Sequence, residues 1–369
     1  MGPDLRRASA AVEQACAQAT TVVELCQELH RAIAPVVPVD RWCGFAVDPA
    51  TLFATNGYHD EGVSSHVLPR LLELEHGSLD TNQLPALARS KTGVATLFGA
   101  TGGDPATSAR WREVLVPSGL AHEMRAVFRQ GGHVWGALIL FRAPDVGDFS
   151  PDDAAFVRQV APSVADGFRR VLVRQHVDHG EDAREAGILL LTGAALEVRT
   201  ATETARAWLA ELDDGGLGSP LPTAVVSAAH GARLAPRRTA AVRARTRGGR
   251  WVTITAEATD PSLGGQSDVG VVVQPSRPAE IAHIVGAAHG LTSRETDTVL
   301  LVAAGHTNDE IARLLGLSRY TVADHLKSVF AKLGVVTRGA LISKLFYDYY
   351  LPRVSAGRPV GADSWFLPD

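Results

Sequence analysis

The stretch Leu291–Leu345, LTSRETDTVLLVAAGHTNDEIARLLGLSRYTVADHLKSVFAKLGVVTRGALISKL, is the part around which the chain is organised. Thr292 precedes Glu295, and Thr307 precedes Glu310, by three residues. That spacing lets a Thr oxygen and a Glu carboxylate satisfy the free N–H groups of a helix start. Gly305, Gly316 and Gly334 follow the apolar runs, where a left-handed residue ends a helix at little cost. The spacing predicts helices over Ser293 to Ala304, over Asn308 to Leu315, and from an N-cap at Ser318 to Leu333. On the third, Val322, Leu326, Val329, Phe330 and Leu333 form one apolar stripe. Arg319, Tyr320, Ala323, Asp324, Lys327 and Ser328 take the opposite face. Two helices joined at Gly316-Leu317, the second with a polar outward face, fit a helix-turn-helix.

Charge supports this reading locally. Residues 318–338 hold Arg319, Lys327, Lys332 and Arg338 against Asp324, a net of +3, whereas seven bases and seven acids cancel over 280–348. Placement on one helix, not bulk basicity, points to nucleic acid. A small helical bundle that docks on another regulator or on RNA polymerase is the competing reading.

The LTSRE, GHTNDEIA, LGLSRYTV and KLGV segments resemble the LuxR-type (GerE-like) DNA-binding domain of bacterial transcription regulators. The resemblance covers about 60 residues, and it implies an all-α four-helix domain that binds double-stranded operator DNA as a homodimer. The helix near Arg338–Leu345 would make the dimer contact. By the same resemblance, Lys327 matches a position facing the major groove, and Thr321 and Val322 match a helix start lying against DNA. The candidate DNA-binding residues are Asn308, Ser318, Arg319, Tyr320, Thr321, Val322, Ala323, Asp324, Lys327, Ser328 and Lys332. Many members carry Lys directly after Thr-Val; here Ala323 and Asp324 follow. A carboxylate in the groove repels phosphate but accepts a hydrogen bond from cytosine N4, which implies a different operator. Equally, Asp324 could serve only to orient Lys327, three residues on.

The 369 residues suit two or three domains, and 46% hydrophobic with 21% charged residues is ordinary for a globular chain. A net charge of −4 excludes a general polyanion binder. Cys16, Cys26 and Cys43 form no CxxC pair or zinc spacing, and such an odd, low count suits a reducing cytoplasm. Cys43 reads as a buried small hydrophobe or as a redox thiol. No signal pattern is visible, and no apolar run approaches the roughly 18 residues of a membrane span. The expected location is the cytoplasm, without a membrane partner. No phosphate loop, HExxH, GxSxG, kinase or cyclase signature is present, so neither an enzyme nor a cofactor is expected.

Ahead of this module, helices are expected over 4–36, with Thr20 or Thr21 capping a second segment. A strand is expected over Asp40–Val47, with its partner reaching His59. Helices follow over Val63–His76 and Ala106–Pro117. A hairpin runs His122–Gln130, Gly131-Gly132, His133–Phe141, and a helix opens at Pro151 and runs to about Val177. This order resembles an α+β GAF domain within 1–178. The resemblance implies a small-molecule effector pocket between sheet and inserted helices, lined by Trp42, Phe45, Tyr58, Trp111, His122, Met124, Phe128 and Trp135. Those aromatics would equally serve as plain core.

His176–Arg184 reads as a linker or helix end. A strand over Gly187–Thr192, a helix over Thr202–Leu212, a hairpin of Ala240–Arg247 and Arg250–Glu257 and a strand over Val269–Val273 then resemble an α+β PAS domain over 184–276. Arg243, Arg245 and Arg247 share one strand face, as an anion or nucleic-acid site, a solvated face or an interdomain contact. Gly264-Gly265 marks a loop, and Pro275 through Gly290 a linker into a helix-turn-helix domain over 280–350. The 351–369 tail carries Trp365-Phe366-Leu367, an apolar group able to dock. With no receiver-type acidic cluster and no acyl-homoserine-lactone-receptor pattern, control by another ligand or a partner is expected, with RNA polymerase as partner if the protein activates.

Overall fold

The computed structural model describes residues 2–60, 67–77, 80–173, 185–212, 220–260, 268–276 and 278–345. The expected loop at Gly264-Gly265, the His176–Arg184 linker and the tail with Trp365-Phe366-Leu367 lie outside the described residues. So do the ends of two expected helices, at 63–66 and 174–177. The chain divides into two compact units, one of residues 1–174, 186–247 and 252–274, the other of 175–185, 248–251 and 275–369.

The first unit contains two five-stranded antiparallel sheets. The first comprises β1 (Arg41–Val47), β2 (Ala54–Asp60), β3 (Val94–Thr96), β4 (His122–Gln130) and β5 (His133–Arg142), in the order β2-β1-β5-β4-β3. One face carries α1 (Pro3–Gln18), α2 (Val22–Ile33) and α6 (Pro151–Val173). Thr21 caps α2 by accepting from the Glu24 N–H, which places Leu25, Cys26, Leu29 and Ile33 inward. Gly136 admits α6: a Cβ there would sit 2.6 Å from the Phe168 ring. The other face carries α3 (Leu68–His76), α4 (Leu84–Arg89), α5 (Leu97–Ala100) and three short irregular helical turns at 105–107, 111–115 and 116–118, where the sequence suggests one continuous helix. Gly119, in the left-handed region, closes the last of these turns.

The second sheet comprises β6 (Gly187–Thr192), β7 (Glu197–Ala201), β8 (Thr239–Arg245), β9 (Trp251–Ala258) and β10 (Val269–Pro275), in the order β7-β6-β10-β9-β8. It repeats the second-first-fifth-fourth-third order of the first sheet. With it go α7 (Glu203–Leu212) and α8 (Thr223–Leu234). Residues 223–232 of α8 are all buried, as expected of a helix of small apolar residues enclosed on every side. One apolar core runs from Cys43, Phe45 and Ile139 on the first sheet, through α8, to Leu189, Ile254 and Val271 on the second.

Polar contacts fasten the two sheets. Asp48, fully buried, accepts from the Arg243 backbone N–H at 3.1 Å and from its Nη1 at 3.2 Å. Asn56 donates to the Arg245 carbonyl, and Arg245 Nη1 donates to the Val171 carbonyl at 2.8 Å. Arg247 donates to the Ala210 carbonyl at 2.5 Å. The arginine row is therefore a contact within the unit. Cys43 is buried, and burial pushes its thiol up to about 12, away from a reactive thiolate.

The second unit holds α9 (Pro278–Ala288), α10 (Ser293–Ala303), α11 (Asn308–Leu315), α12 (Arg319–Leu333) and α13 (Arg338–Leu345). Residues 278–288, expected as linker, are helical instead. Ile281, Ile284, Ala287 and Ala288 are buried there; Pro278 opens the helix without loss because its first N–H has no partner to lose.

Asp48→Ala should leave Arg243 without its acceptor and cost about 3 kcal/mol. Urea unfolding of the full chain, followed through Trp42 and Trp135 fluorescence, should show a lower midpoint.

Candidate nucleic-acid interface

Both expected capping boxes form. The Thr292 N–H donates to Glu295 at 2.7 Å, and the Glu295 N–H donates to Thr292 Oγ1 at 3.3 Å. Thr307 and Glu310 repeat the exchange at the start of α11. Gly316, left-handed at φ 66°, ends α11 and turns the chain into α12, whose first turn Ser318 caps through the Thr321 N–H at 3.0 Å. Val322, Leu326, Val329 and Leu333 are buried with Val299, Val302, Ile311 and Leu341. This core fixes which face of α12 points outward.

On that face Arg319, Tyr320, Ala323, Asp324 and Lys327 are exposed, Tyr320 at 84%. Asp324 and Lys327 form no ion pair with each other or with any other described residue. The orienting role considered for Asp324 therefore gains no contact. Arg319 lies 3.6 Å from Asp309 in an exposed pair, a weak interaction in water.

Besides Ser318, which caps α12, four expected contact residues are engaged within the domain. Val322 is fully buried, so its side chain is core and cannot touch DNA. Ser328 donates to Glu295 Oε1 at 2.5 Å, and Lys332 Nζ donates to Glu295 Oε2 at 2.6 Å. Asn308 accepts from Arg338 Nη1 at 3.1 Å, and the other arm of that guanidinium reaches the His306 carbonyl. Thus two of the four bases counted on 318–338 are internal ties. Burial pushes the Glu295 carboxyl up, but Lys332, Ser328 and the Thr292 N–H outweigh it and hold it at about 2.

Of the eight residues expected to line an effector pocket, Phe45 lines the cavity found beside the first sheet. A cavity of about 60 Å³ is lined by Phe45 with Cys43, Leu52, Ala54, His59, Leu71, Leu72, Glu75, His76, Leu84, Arg125, Ile139, Phe141 and Ser227. Trp42 and Phe45 lie three apart on β1 and therefore face opposite sides of the sheet. Trp42 stacks on His30 of α2, and Phe128 on Phe168 of α6. Met124, even in number on β4 like Phe128, is fully buried and lines no part of the cavity. Trp135 donates to the Gln130 carbonyl and Trp111 to the Ala121 carbonyl, both as core. Tyr58 is part-buried near His30, and His122 sits 3.6 Å from Asp148.

Alternation on β4 carries a signal in the charged residues instead. Glu123 and Arg125 face inward with Arg110, Glu75 and Asp80, all under 10% exposed. Arg110 binds Glu123 at 2.7 Å, and Arg125 binds Glu123 at 3.0 Å and Glu75 at 2.5 Å. Burial alone would raise both glutamates; the guanidiniums hold both down, Glu75 at about 2.

The geometry of 291–345 is a helix-turn-helix with an open third-helix face. Residues 289–345 match the luxR family of bacterial regulatory proteins. This segment is a LuxR-type helix-turn-helix domain. The chain is 44% identical over 52 residues to the transcriptional regulatory protein MctR of Rhizobium johnstonii, covering 14% of this chain and 24% of that one. It is 48% identical over 48 residues to the HTH-type transcriptional activator RamA of Corynebacterium glutamicum, covering 13% and 17%. The chain thus spans a quarter or less of the length of these curated relatives. A likeness to a solved VqmA dimer of Vibrio cholerae (20% identity, 30% of this chain and 53% of that one, TM-score 0.17) is too slight to bear on the fold. No described helix is long and apolar enough to cross a membrane.

Glu295→Gln should destabilise the second unit by about 2 kcal/mol at pH 7. A carboxyl held below its unfolded value stabilises above about 4.5 and loses that contribution as pH falls towards about 2. Unfolding midpoints of wild type and variant should therefore differ at pH 7 and converge in acid.

Proposed function

We propose that this protein is a sequence-specific, DNA-binding transcription regulator that acts on operator DNA through the outward face of α12. One observation supports this most: within a LuxR-type domain, Lys327 and Asp324 stand exposed, with no ion partner among the described residues, on the helix whose other face is locked in the core. Lys327 supplies a cation for phosphate or guanine, and Asp324 an acceptor for cytosine N4. Arg319, Tyr320 and Thr321 begin the helix and flank the backbone. Two copies on adjacent half-sites would give the dimeric complex.

The first unit is read as the control region, a GAF-like half followed by a PAS-like half. Its shared core and the cavity beside it favour a small-molecule effector that shifts the population of DNA-competent chains. Activation through RNA polymerase and repression are both open to such a regulator.

Lys327→Ala should weaken binding to DNA fragments from around the protein's own gene. It should also lower the slope of log affinity against log salt by about 1. Lys332→Ala, which removes a cation already bonded to Glu295, should leave that slope unchanged. Fluorescence anisotropy at several salt concentrations distinguishes the two.

A further inference from the structure

The cavity of the first unit is closed on one side by the first sheet and α3, and on the other by Ser227 of α8. Its walls are mostly apolar, yet three lining residues carry buried polar atoms without a hydrogen-bond partner among the described residues. These are Nη2 of Arg125, Oγ of Ser227 and both ring nitrogens of His59. Arg125 and Ser227 are each 1% exposed. A buried polar group left unsatisfied costs free energy that a bound partner recovers. Three such groups around one void are unusual for a space that serves only as packing.

The charges choose the ligand. Arg125 pairs with Glu75 and Glu123, and Arg110 with Glu123 and Asp80, so the network holds three buried carboxylates against two guanidiniums. The cluster already carries one negative charge in excess, so an anion would enter against it. A cation would meet the donor face of Arg125. His59 is uncharged at neutral pH, because burial pushes it down to about 4, and it presents one donor and one acceptor nitrogen. The void, at about 60 Å³, has room for only a few heavy atoms.

We propose that this cavity binds a compact, uncharged, largely apolar molecule bearing a carbonyl or hydroxyl oxygen. Arg125 Nη2 and the Ser227 hydroxyl donate to that oxygen, and His59 pairs with a hydroxyl or second polar group. Because Ser227 belongs to α8, the shared wall of the two sheets, the occupant is enclosed jointly by both halves of the unit. The inference rests on the reading of this unit as an effector-binding region, not on the DNA-binding reading of the second unit.

The test is ligand-observed NMR titration of the full chain, without DNA, using 2-butanone, butyrate and butylamine as neutral, anionic and cationic probes of similar size. Saturable binding of 2-butanone is expected, with butyrate and butylamine at least tenfold weaker. Ser227→Val, which adds bulk to the cavity wall, should weaken the ketone at least tenfold, and His59→Leu, which removes both ring nitrogens at similar side-chain volume, should do so as well. Equal or tighter binding of a charged probe, no saturable binding of the ketone, or indifference to both variants would overturn the proposal. The comparison of probes on the wild-type chain stands even if a variant fails to fold. A negative result with intact DNA binding would remove this ligand class and leave the regulator reading in place.

Discussion

The arrangement of α12 depends on one carboxylate. Glu295 accepts from the Thr292 N–H at the start of α10 and from Ser328 and Lys332 on successive turns of α12. A group that caps one helix and clamps another couples the start of the domain to the outward face of α12. The apolar stripe fixes how α12 rotates about its own axis, and the clamp resists its sliding along α10. The same contact spends Lys332 internally, so the outward charge of α12 is narrower than its composition suggests. Lys327 and Asp324 remain exposed on that face, without ion partners among the described residues.

The first unit follows a different logic. Two sheets of the same strand order are joined through α8, whose residues 223–232 are all buried. Asp48 and the arginine-bearing strand β8 pin the junction. Buried ion networks stabilise little in net terms, because desolvation offsets their attraction. Retaining Glu75, Arg110, Glu123 and Arg125 in the core is better explained by what they arrange than by strength. They set the polarity of the cavity beside them.

Much of this was legible in the sequence, and the failures have physical causes. Capping pairs and left-handed glycines located α10 to α12 to within a residue, because local hydrogen bonds decide those boundaries. The Gly131-Gly132 hairpin and strands β1, β6 and β10 were equally visible. Helix α8 was missed because TAVVSAAHGARL has apolar residues all round and therefore no helical period. Strand β7, almost wholly exposed, shows no alternation to detect. Helix α9 was read as linker from its bordering prolines and glycine, although its apolar run is buried. Strand parity separates Trp42 and Met124 from the cavity: Cys43 and Arg125, one residue along on β1 and β4, line it instead. Val322 and Lys332 were assigned to DNA by position within a motif, whereas burial and the Glu295 contact commit them to the domain itself.

The most direct measurement of the central claim is selection of binding sites from a randomised DNA library by the full chain and by Asp324→Ala. If the outward face of α12 reads bases, wild type should enrich a paired half-site. The variant should enrich a related sequence with relaxed preference at one position in each half, where cytosine was favoured. Enrichment of no common sequence, or of the same sequence with undiminished preference at every position, would contradict the assignment of recognition to this face.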